Sequence, residues 1–151
     1  MEDEVKKATE KAMAVLLIKD RTKKELEDRL KRAGFSEKAV DAAMEYVQSF
    51  GYIDDARYAY SYISFRRTLK SRKEIAFKLL QRGVDKEVIQ QAFYEFPDDD
   101  SEALKNSIRK KCNGRDLNEM DRVERQKVFA YLARRGFRAS DISKCIQYWE
   151  E

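Results

Sequence analysis

Residues 25–47 are ELEDRLKRAGFSEKAVDAAMEYV, and the same pattern returns twice further along the chain. It returns at residues 74–96 as EIAFKLLQRGVDKEVIQQAFYEF and at residues 127–149 as KVFAYLARRGFRASDISKCIQYW. The three copies align without gaps on one shared glycine, which is Gly34, Gly83 and Gly136. A pattern that recurs at a nearly constant spacing is typical of repeat proteins, so each copy is expected to form one supersecondary unit.

Apolar residues recur at fixed distances from the shared glycine. Eight residues before the glycine the copies have Leu26, Ile75 and Val128, and four residues before it they have Leu30, Leu79 and Leu132. One residue after it they have Phe35, Val84 and Phe137, and six residues after it they have Val40, Ile89 and Ile142. The first two positions share one stripe of a helix. A glycine that closes such a stripe favours a left-handed C-terminal cap. Each copy is therefore predicted to be a helical hairpin, with Ser36 and Asp85 capping the second helix in the first two copies.

A further helix is predicted before each hairpin. The capping boxes at residues 22–25 and 71–74 predict where the first hairpin helix begins, and residues 121–124 predict an earlier start in the third copy. The preceding helices are predicted at residues 5–19, 55–70 and 99–113. Their predicted inward residues are Ala8, Ala12, Val15 and Leu16; Tyr58, Tyr62, Phe65 and Leu69; Leu104, Ile108 and Cys112.

The composition favours the same fold class. One proline and five glycines in 151 residues are too few for the turns of a many-stranded protein, so the prediction is all-α. Turn residues divide the chain into three tandem three-helix repeats at residues 1–50, 51–97 and 98–151. Because a unit of about 50 residues is marginal alone, the repeats are expected to stack into an elongated, curved body.

The composition also excludes several kinds of site. Without histidine, the chain has no imidazole for a zinc site or a Ser-His-Asp triad, and it has no phosphate-binding glycine loop. Cys112 and Cys145 are predicted to be buried apolar residues, and the acidic pairs and triplets at residues 54–55 and 98–100 to be helix caps rather than metal ligands. No segment is long enough to span a membrane, and none resembles a signal peptide. We expect a cytoplasmic monomer that is not an enzyme and binds no cofactor, metal or membrane.

The formal charge is +4, and the excess lies in residues 101–151, which carry 12 Lys and Arg against 8 Asp and Glu. Three basic runs stand out, at residues 66–73, 109–115 and 134–138. One interpretation is a footprint for nucleic acid or another polyanion. The other interpretation is an ordinary solvated helical surface. Judged from charge alone, this second interpretation is favoured, because 40% of the chain is charged.

Aromatic residues near the first basic run also have two interpretations. Tyr58, Tyr62 and Phe65 are spaced as a helix spaces its buried face, which favours core packing over stacking on bases. Tyr60 is on another face and is the better candidate for a contact with a ligand.

Three segments carry a resemblance to a known family. They are Gly51-Tyr-Ile-Asp-Asp-x-x-Tyr58-Ala59, Leu79-x-x-x-Gly83-Val84, and Gln126-Lys127-x-x-x-Tyr131-Leu132-Ala-Arg134-Arg135-Gly136-Phe137. Together with the three tandem repeats, they resemble the RecX family of bacterial regulators of the RecA recombinase. The resemblance extends from about residue 8 to residue 149.

The resemblance implies a non-enzymatic regulator in DNA repair, recombination and the SOS response. Such a protein lies in the groove of the RecA filament on single-stranded DNA, bridges protomers and inhibits ATP hydrolysis and strand exchange. The partners would be the RecA filament and single-stranded DNA. The candidate contact residues are Arg66, Arg67, Lys70, Arg72, Lys73, Arg134, Arg135 and Arg138, followed by Arg109, Lys110 and Lys111. The alternatives are a nucleic-acid-binding module without a recombinase partner and, less favoured, an enzyme that uses a carboxylate.

Overall fold

The computed structural model describes residues 2–150, with side-chain surroundings through residue 145. Within residues 2–150 it contains nine α-helices, one short 3-10 helix and no strand. The α-helices are α1 (Glu2–Ile18), α2 (Lys23–Arg32), α3 (Glu37–Ser49), α4 (Asp55–Arg66), α5 (Arg72–Gln81), α6 (Lys86–Phe93), α7 (Ser101–Cys112), α8 (Arg122–Arg134) and α9 (Ala139–Glu150). The 3-10 helix is Leu117–Glu119. The predicted all-α class with three tandem three-helix repeats is confirmed.

The helix ends follow from the predicted local signals. Each shared glycine has a positive φ of 90° to 93°, and the residue after it donates its N–H to the carbonyl oxygen five residues earlier. Thr22 and Glu25 form a reciprocal capping box, with both hydrogen bonds at 3.1 Å. Glu124 donates its N–H to Asp121 at 2.8 Å, which confirms the earlier start of α8. Asp85 precedes α6 as predicted, but its side chain makes no capping hydrogen bond, so the prediction of a side-chain cap there is wrong.

The buried face of α4 differs from the prediction. Phe65 is 77% exposed and Leu69 is 56% exposed, whereas Ala59 and Ile63 are fully buried. Phe65 lies about 200° around the helix from Ile63, because successive residues are about 100° apart. The helix also ends at Arg66, so Leu69 lies beyond it. Tyr62 is buried as predicted, but the aromatic spacing was misleading for Phe65, because Ala59 and Ile63 occupy the face that packs inward.

The Cα positions group into two compact units. The first contains Met1–Ser61 and Leu79–Glu95, and the second contains Tyr62–Lys78 and Phe96–Glu151. In the first unit, α1 packs on α3 around Ala8, Ala12, Val15, Leu26, Leu30, Ala39, Val40, Ala43, Val47 and Ile53. In the second, α7, α8 and α9 pack around Ala103, Leu104, Ile108, Cys112, Leu117, Met120, Val128, Leu132, Phe137 and Ile142. Among residues 2–150, no helix is both long and apolar enough to cross a membrane.

The same polar junction joins successive copies within each unit. In the first unit Thr22 Oγ1 donates to the carbonyl oxygen of Arg82 at 2.6 Å, and in the second Ser71 Oγ donates to that of Arg135 at 2.6 Å. Thr22 and Ser71 are the two polar residues that are buried among residues 2–145. Since a hydroxyl both accepts and donates, each of these residues caps its own helix and satisfies a carbonyl of the next copy.

The turn glycine is part of this junction. A methyl group on Gly136 would lie 2.8 Å from Ser71 Oγ, and one on Gly83 would overlap the Lys24 side chain. At Gly34, which follows no earlier copy, a methyl group would meet nothing within 4 Å. Gly83 and Gly136 are therefore required both for their positive φ and for close backbone packing.

Candidate nucleic-acid interface

All eleven predicted contact residues lie in the second compact unit. That unit carries 18 Lys and Arg against 12 Asp and Glu, a net charge of +6. The first unit carries 14 against 16, a net charge of −2. The overall charge of +4 therefore conceals two units of opposite sign, and the positive unit holds every candidate.

The fold brings the first and third basic runs together. Ser71 and Arg135 are 64 residues apart in sequence and share the junction hydrogen bond, while the stem of Lys73 packs over Gly136. The second basic run and the third basic run contact the same aromatic ring, that of Tyr131. Lys111 Nζ lies 4.6 Å from the centroid of Tyr131, and Arg135 Cζ lies 5.5 Å from the same centroid.

Four of the eleven residues are paired with two carboxylates. Asp98 binds Arg72 Nε at 3.3 Å and an Arg138 terminal nitrogen at 3.2 Å. Glu74 binds Arg135 Nε at 3.3 Å and lies 3.9 Å from Lys70 Nζ. The hydrogen bond and charge of Asp98 raise the pKa of Arg138. These four cations therefore contribute to the junction, and half of their charge is neutralised.

The other seven residues form a different group. Within residues 2–145 none of them lies within 4.0 Å of a carboxylate oxygen; they are Arg66, Arg67, Lys73, Arg109, Lys110, Lys111 and Arg134. Arg66 Cζ lies 3.8 Å above the centroid of Tyr62, and Arg67 Cζ lies 5.1 Å from that of Phe96. A ring holds a guanidinium in place without neutralising its charge. We call these seven the unpaired cations.

The aromatic rings that lie against these cations were not predicted from the sequence. Tyr62 with Arg66, and Tyr131 with Arg135, are separated by four residues on one helix, so helical spacing was a usable signal. Phe96 under Arg67 and Tyr131 under Lys111 depend on tertiary contacts that no local pattern indicates. Tyr60, the predicted contact aromatic, is 47% exposed and belongs to the first unit.

The acidic turns have roles beyond capping. Asp54 and Asp99 each accept N–H groups of the helix that follows, as predicted. Asp55 and Asp100 instead accept the N–H of Lys23 at 2.9 Å and of Arg72 at 3.1 Å, which come from the preceding copy. Burial raises the pKa of Asp55 and of Asp100, while hydrogen bonds from Ser101 lower the pKa of Asp99.

No group of three or more carboxylates or thiols among the described residues is arranged to hold a metal ion. Cys112 is buried, as predicted, whereas Cys145 is only partly buried. Burial raises the pKa of both thiols, which disfavours the thiolate form needed by a nucleophile.

Comparison with known proteins gives three matches to models of one family. RecX first, second and third three-helix domains match residues 8–46, 54–92 and 98–146. Regulatory protein RecX of Caldanaerobacter subterraneus subsp. tengcongensis is 33% identical over 146 residues, which are 95% of this chain and 71% of that protein. Regulatory protein RecX of Chlorobium phaeobacteroides is 29% identical over 143 residues, which are 93% of this chain and 92% of that protein.

Two solved structures are similar over most of their length. The crystal structure of RecX from Lactobacillus salivarius aligns with a TM-score of 0.83 and 23% identity over 99% of both chains. A crystal structure described as regulatory protein RecX aligns with a TM-score of 0.80 and 26% identity, covering 95% of this chain and 73% of the other. At these identities the likeness is mainly one of fold.

Proposed function

Because this chain belongs to the RecX family of regulatory proteins, we propose that it regulates the RecA recombinase by binding the filament that RecA forms on single-stranded DNA. It lies in the filament groove, bridges RecA protomers, and inhibits ATP hydrolysis and strand exchange during DNA repair and recombination. It acts as a cytoplasmic monomer. It needs no cofactor and no catalytic group, since its effect comes from occupying the groove.

The observation that carries this proposal is the net charge of +6 on the second unit, with its seven unpaired cations. Lysine and arginine side chains bind the phosphates of single-stranded DNA and release its counterions. Cations that have no carboxylate partner among residues 2–145 bind phosphate without first breaking an ion pair within that part of the chain. The four paired cations then position the junction, and the unpaired cations make the contacts with DNA.

The test is to titrate the protein into a reaction in which RecA from the same source hydrolyses ATP on single-stranded DNA. We expect the hydrolysis rate to fall at less than one molecule of this protein per RecA, because one molecule bridges several protomers. An unchanged rate at equimolar protein would refute the proposal.

The basic unit also supports the second candidate, a nucleic-acid-binding module with no recombinase partner. Such a module binds naked single strands with a steep salt dependence. It would leave ATP hydrolysis unchanged whenever DNA is in excess over the protein. Measuring hydrolysis at two DNA concentrations separates the two functions, because inhibition through RecA persists when DNA is in excess.

A further inference from the structure

The first unit contains a groove between α4 and α6. Its volume is about 470 Å³. Its lining consists of Ala56 and Tyr60 from α4, and Glu87, Val88, Gln91, Ala92 and Glu95 from α6 and the turn after it. Glu87 and Gln91 are four residues apart on α6 and share one face of it, and Glu95 follows in the turn after the helix. All three line the groove on the α6 side.

The groove combines an apolar floor with an acidic edge. Ala92 is buried and Val88 is partly buried, while the Tyr60 ring is 47% exposed. Glu87 and Glu95 are both exposed. Among the described residues that line the groove there is no Lys or Arg. The groove therefore presents apolar surface and an aromatic ring beside two carboxylates that no lining cation neutralises.

This chemistry disfavours nucleic acid as the ligand. The carboxylates of Glu87 and Glu95 repel phosphate, and the unit to which they belong has a net charge of −2. Two cavities of the second unit differ from it: Arg109 and Arg115 line one of about 360 Å³, and Arg122 and Arg125 line one of about 480 Å³. These two cavities therefore present arginine where the groove between α4 and α6 presents glutamate.

We propose that the groove between α4 and α6 binds a protein segment that presents an apolar side chain flanked by lysine or arginine. The apolar side chain lies against Tyr60, Val88 and Ala92, and the flanking cations pair with Glu87 and Glu95. Exposed tyrosine with an apolar floor is the usual composition of a protein-binding patch, and complementary charge fixes the partner's orientation. The inference rests on the proposed function, in which the partner is RecA, and it assigns the protein contact to the first unit and the DNA contact to the second.

The test compares two double charge reversals of equal charge and equal spacing. Glu87→Lys with Glu95→Lys reverses the edge of the groove. Glu37→Lys with Glu45→Lys makes the same change on α3, in the same unit and also eight residues apart, with both glutamates exposed. Circular dichroism and thermal unfolding establish that each variant is folded. Inhibition of RecA ATP hydrolysis and binding to naked single-stranded DNA are then measured for both.

We expect the groove variant to need at least ten times more protein than the α3 variant for half-maximal inhibition. Both variants should bind naked single-stranded DNA at least as tightly as the wild type, because each gains four units of positive charge. A groove variant that inhibits as well as the α3 variant would overturn the proposal. Wild-type protein that fails to inhibit at all would instead refute the function proposed above, so the two failures are distinguishable.

A second pair of variants tests the apolar contact without changing charge. Tyr60→Ala removes the ring from the groove, and Tyr94→Ala removes a ring that is 83% exposed in the same unit outside the groove. Tyr60→Ala should weaken inhibition at least fivefold, while Tyr94→Ala should change it less than twofold. Equal effects of the two variants would overturn the assignment of the groove as the docking site.

Discussion

Two neighbouring aspartates show how strongly position controls a side chain in this protein. The Asp99 carboxylate is exposed and accepts hydrogen bonds from Ser101, which lower its pKa. The Asp100 carboxylate is half-buried at the junction, and burial raises its pKa even though it accepts the N–H of Arg72. The ionised form therefore stabilises the fold at one position and costs free energy at the next.

The two aspartates predict opposite pH trends. A carboxyl whose pKa is lowered by folding stabilises the protein at pH values above its pKa in the unfolded chain. The free energy of unfolding of Asp99→Asn should therefore be clearly lower than that of the wild type at pH 7, and the difference should be small near pH 3. A carboxyl whose pKa is raised by folding destabilises the protein when it is ionised. The stability of Asp100→Asn relative to the wild type should therefore be highest at pH 7 and should decrease as the pH falls. Thermal unfolding of both variants and the wild type at pH 7 and pH 3 measures this. Parallel trends would contradict it.

The helices are joined by their ends as well as by their faces. The hydroxyls of Thr22 and Ser71 cap α2 and α5, and they also donate to the carbonyl oxygens of the residues that directly follow α5 and α8. The third copy has Asp121 as the corresponding cap, which accepts a hydrogen bond but cannot donate one when ionised. The double role of the cap is therefore a property of Thr22 and Ser71, and Asp121 acts as an acceptor for its own helix.

This double role predicts an unusually large effect for one hydroxyl. Ser71→Ala removes a cap, worth about 1 kcal/mol, and leaves the partly buried carbonyl of Arg135 without its donor, worth about 1–3 kcal/mol. We expect the free energy of unfolding to fall by about 2–4 kcal/mol. Ser36→Ala, at a cap that joins no following copy, should cost about 1 kcal/mol. Denaturant unfolding measures both, and equal losses would show that the junction hydrogen bond contributes nothing.

Charge is organised by compact unit rather than along the chain. The second unit draws residues from the middle and the end of the sequence, and this collects all three basic runs in a body of net charge +6. The first unit has a net charge of −2 and carries the groove with the acidic edge. On the proposed function, one chain thereby offers a surface for phosphate and a separate surface for protein.

The seven unpaired cations should dominate the salt dependence of DNA binding. Lys73→Gln with Arg134→Gln removes two of them, so the slope of log K against log salt concentration should become less steep by about 1.4 for a single strand. Arg72→Gln with Arg138→Gln removes the same charge from residues paired with Asp98. That variant should change the slope less, and it should lower the free energy of unfolding only slightly because exposed ion pairs contribute little. Equal slope changes would mean that net charge alone controls binding.

Local signals in the sequence were sufficient for the helices, the three copies and most of the caps, with Asp85 as an exception. The glycines at 34, 83 and 136, the boxes at Thr22 and Ser71, and the apolar stripes act over a few residues, where steric and hydrogen-bonding preferences are strong. The same signals identified the basic runs. They were wrong for Phe65 and Leu69, because the direction in which a helix packs depends on its neighbours.

The division of the eleven candidates into paired and unpaired cations depended on contacts between distant residues. Asp98 meets Arg138 across 40 residues, and Arg67 meets Phe96 across 29, so no helical spacing predicts either contact. The separation of charge into two units, and the groove that joins Tyr60 to Glu87, arise in the same way. Charge and shape at a surface are sums over residues brought together by packing, so a linear pattern predicts the helices but not the binding surface.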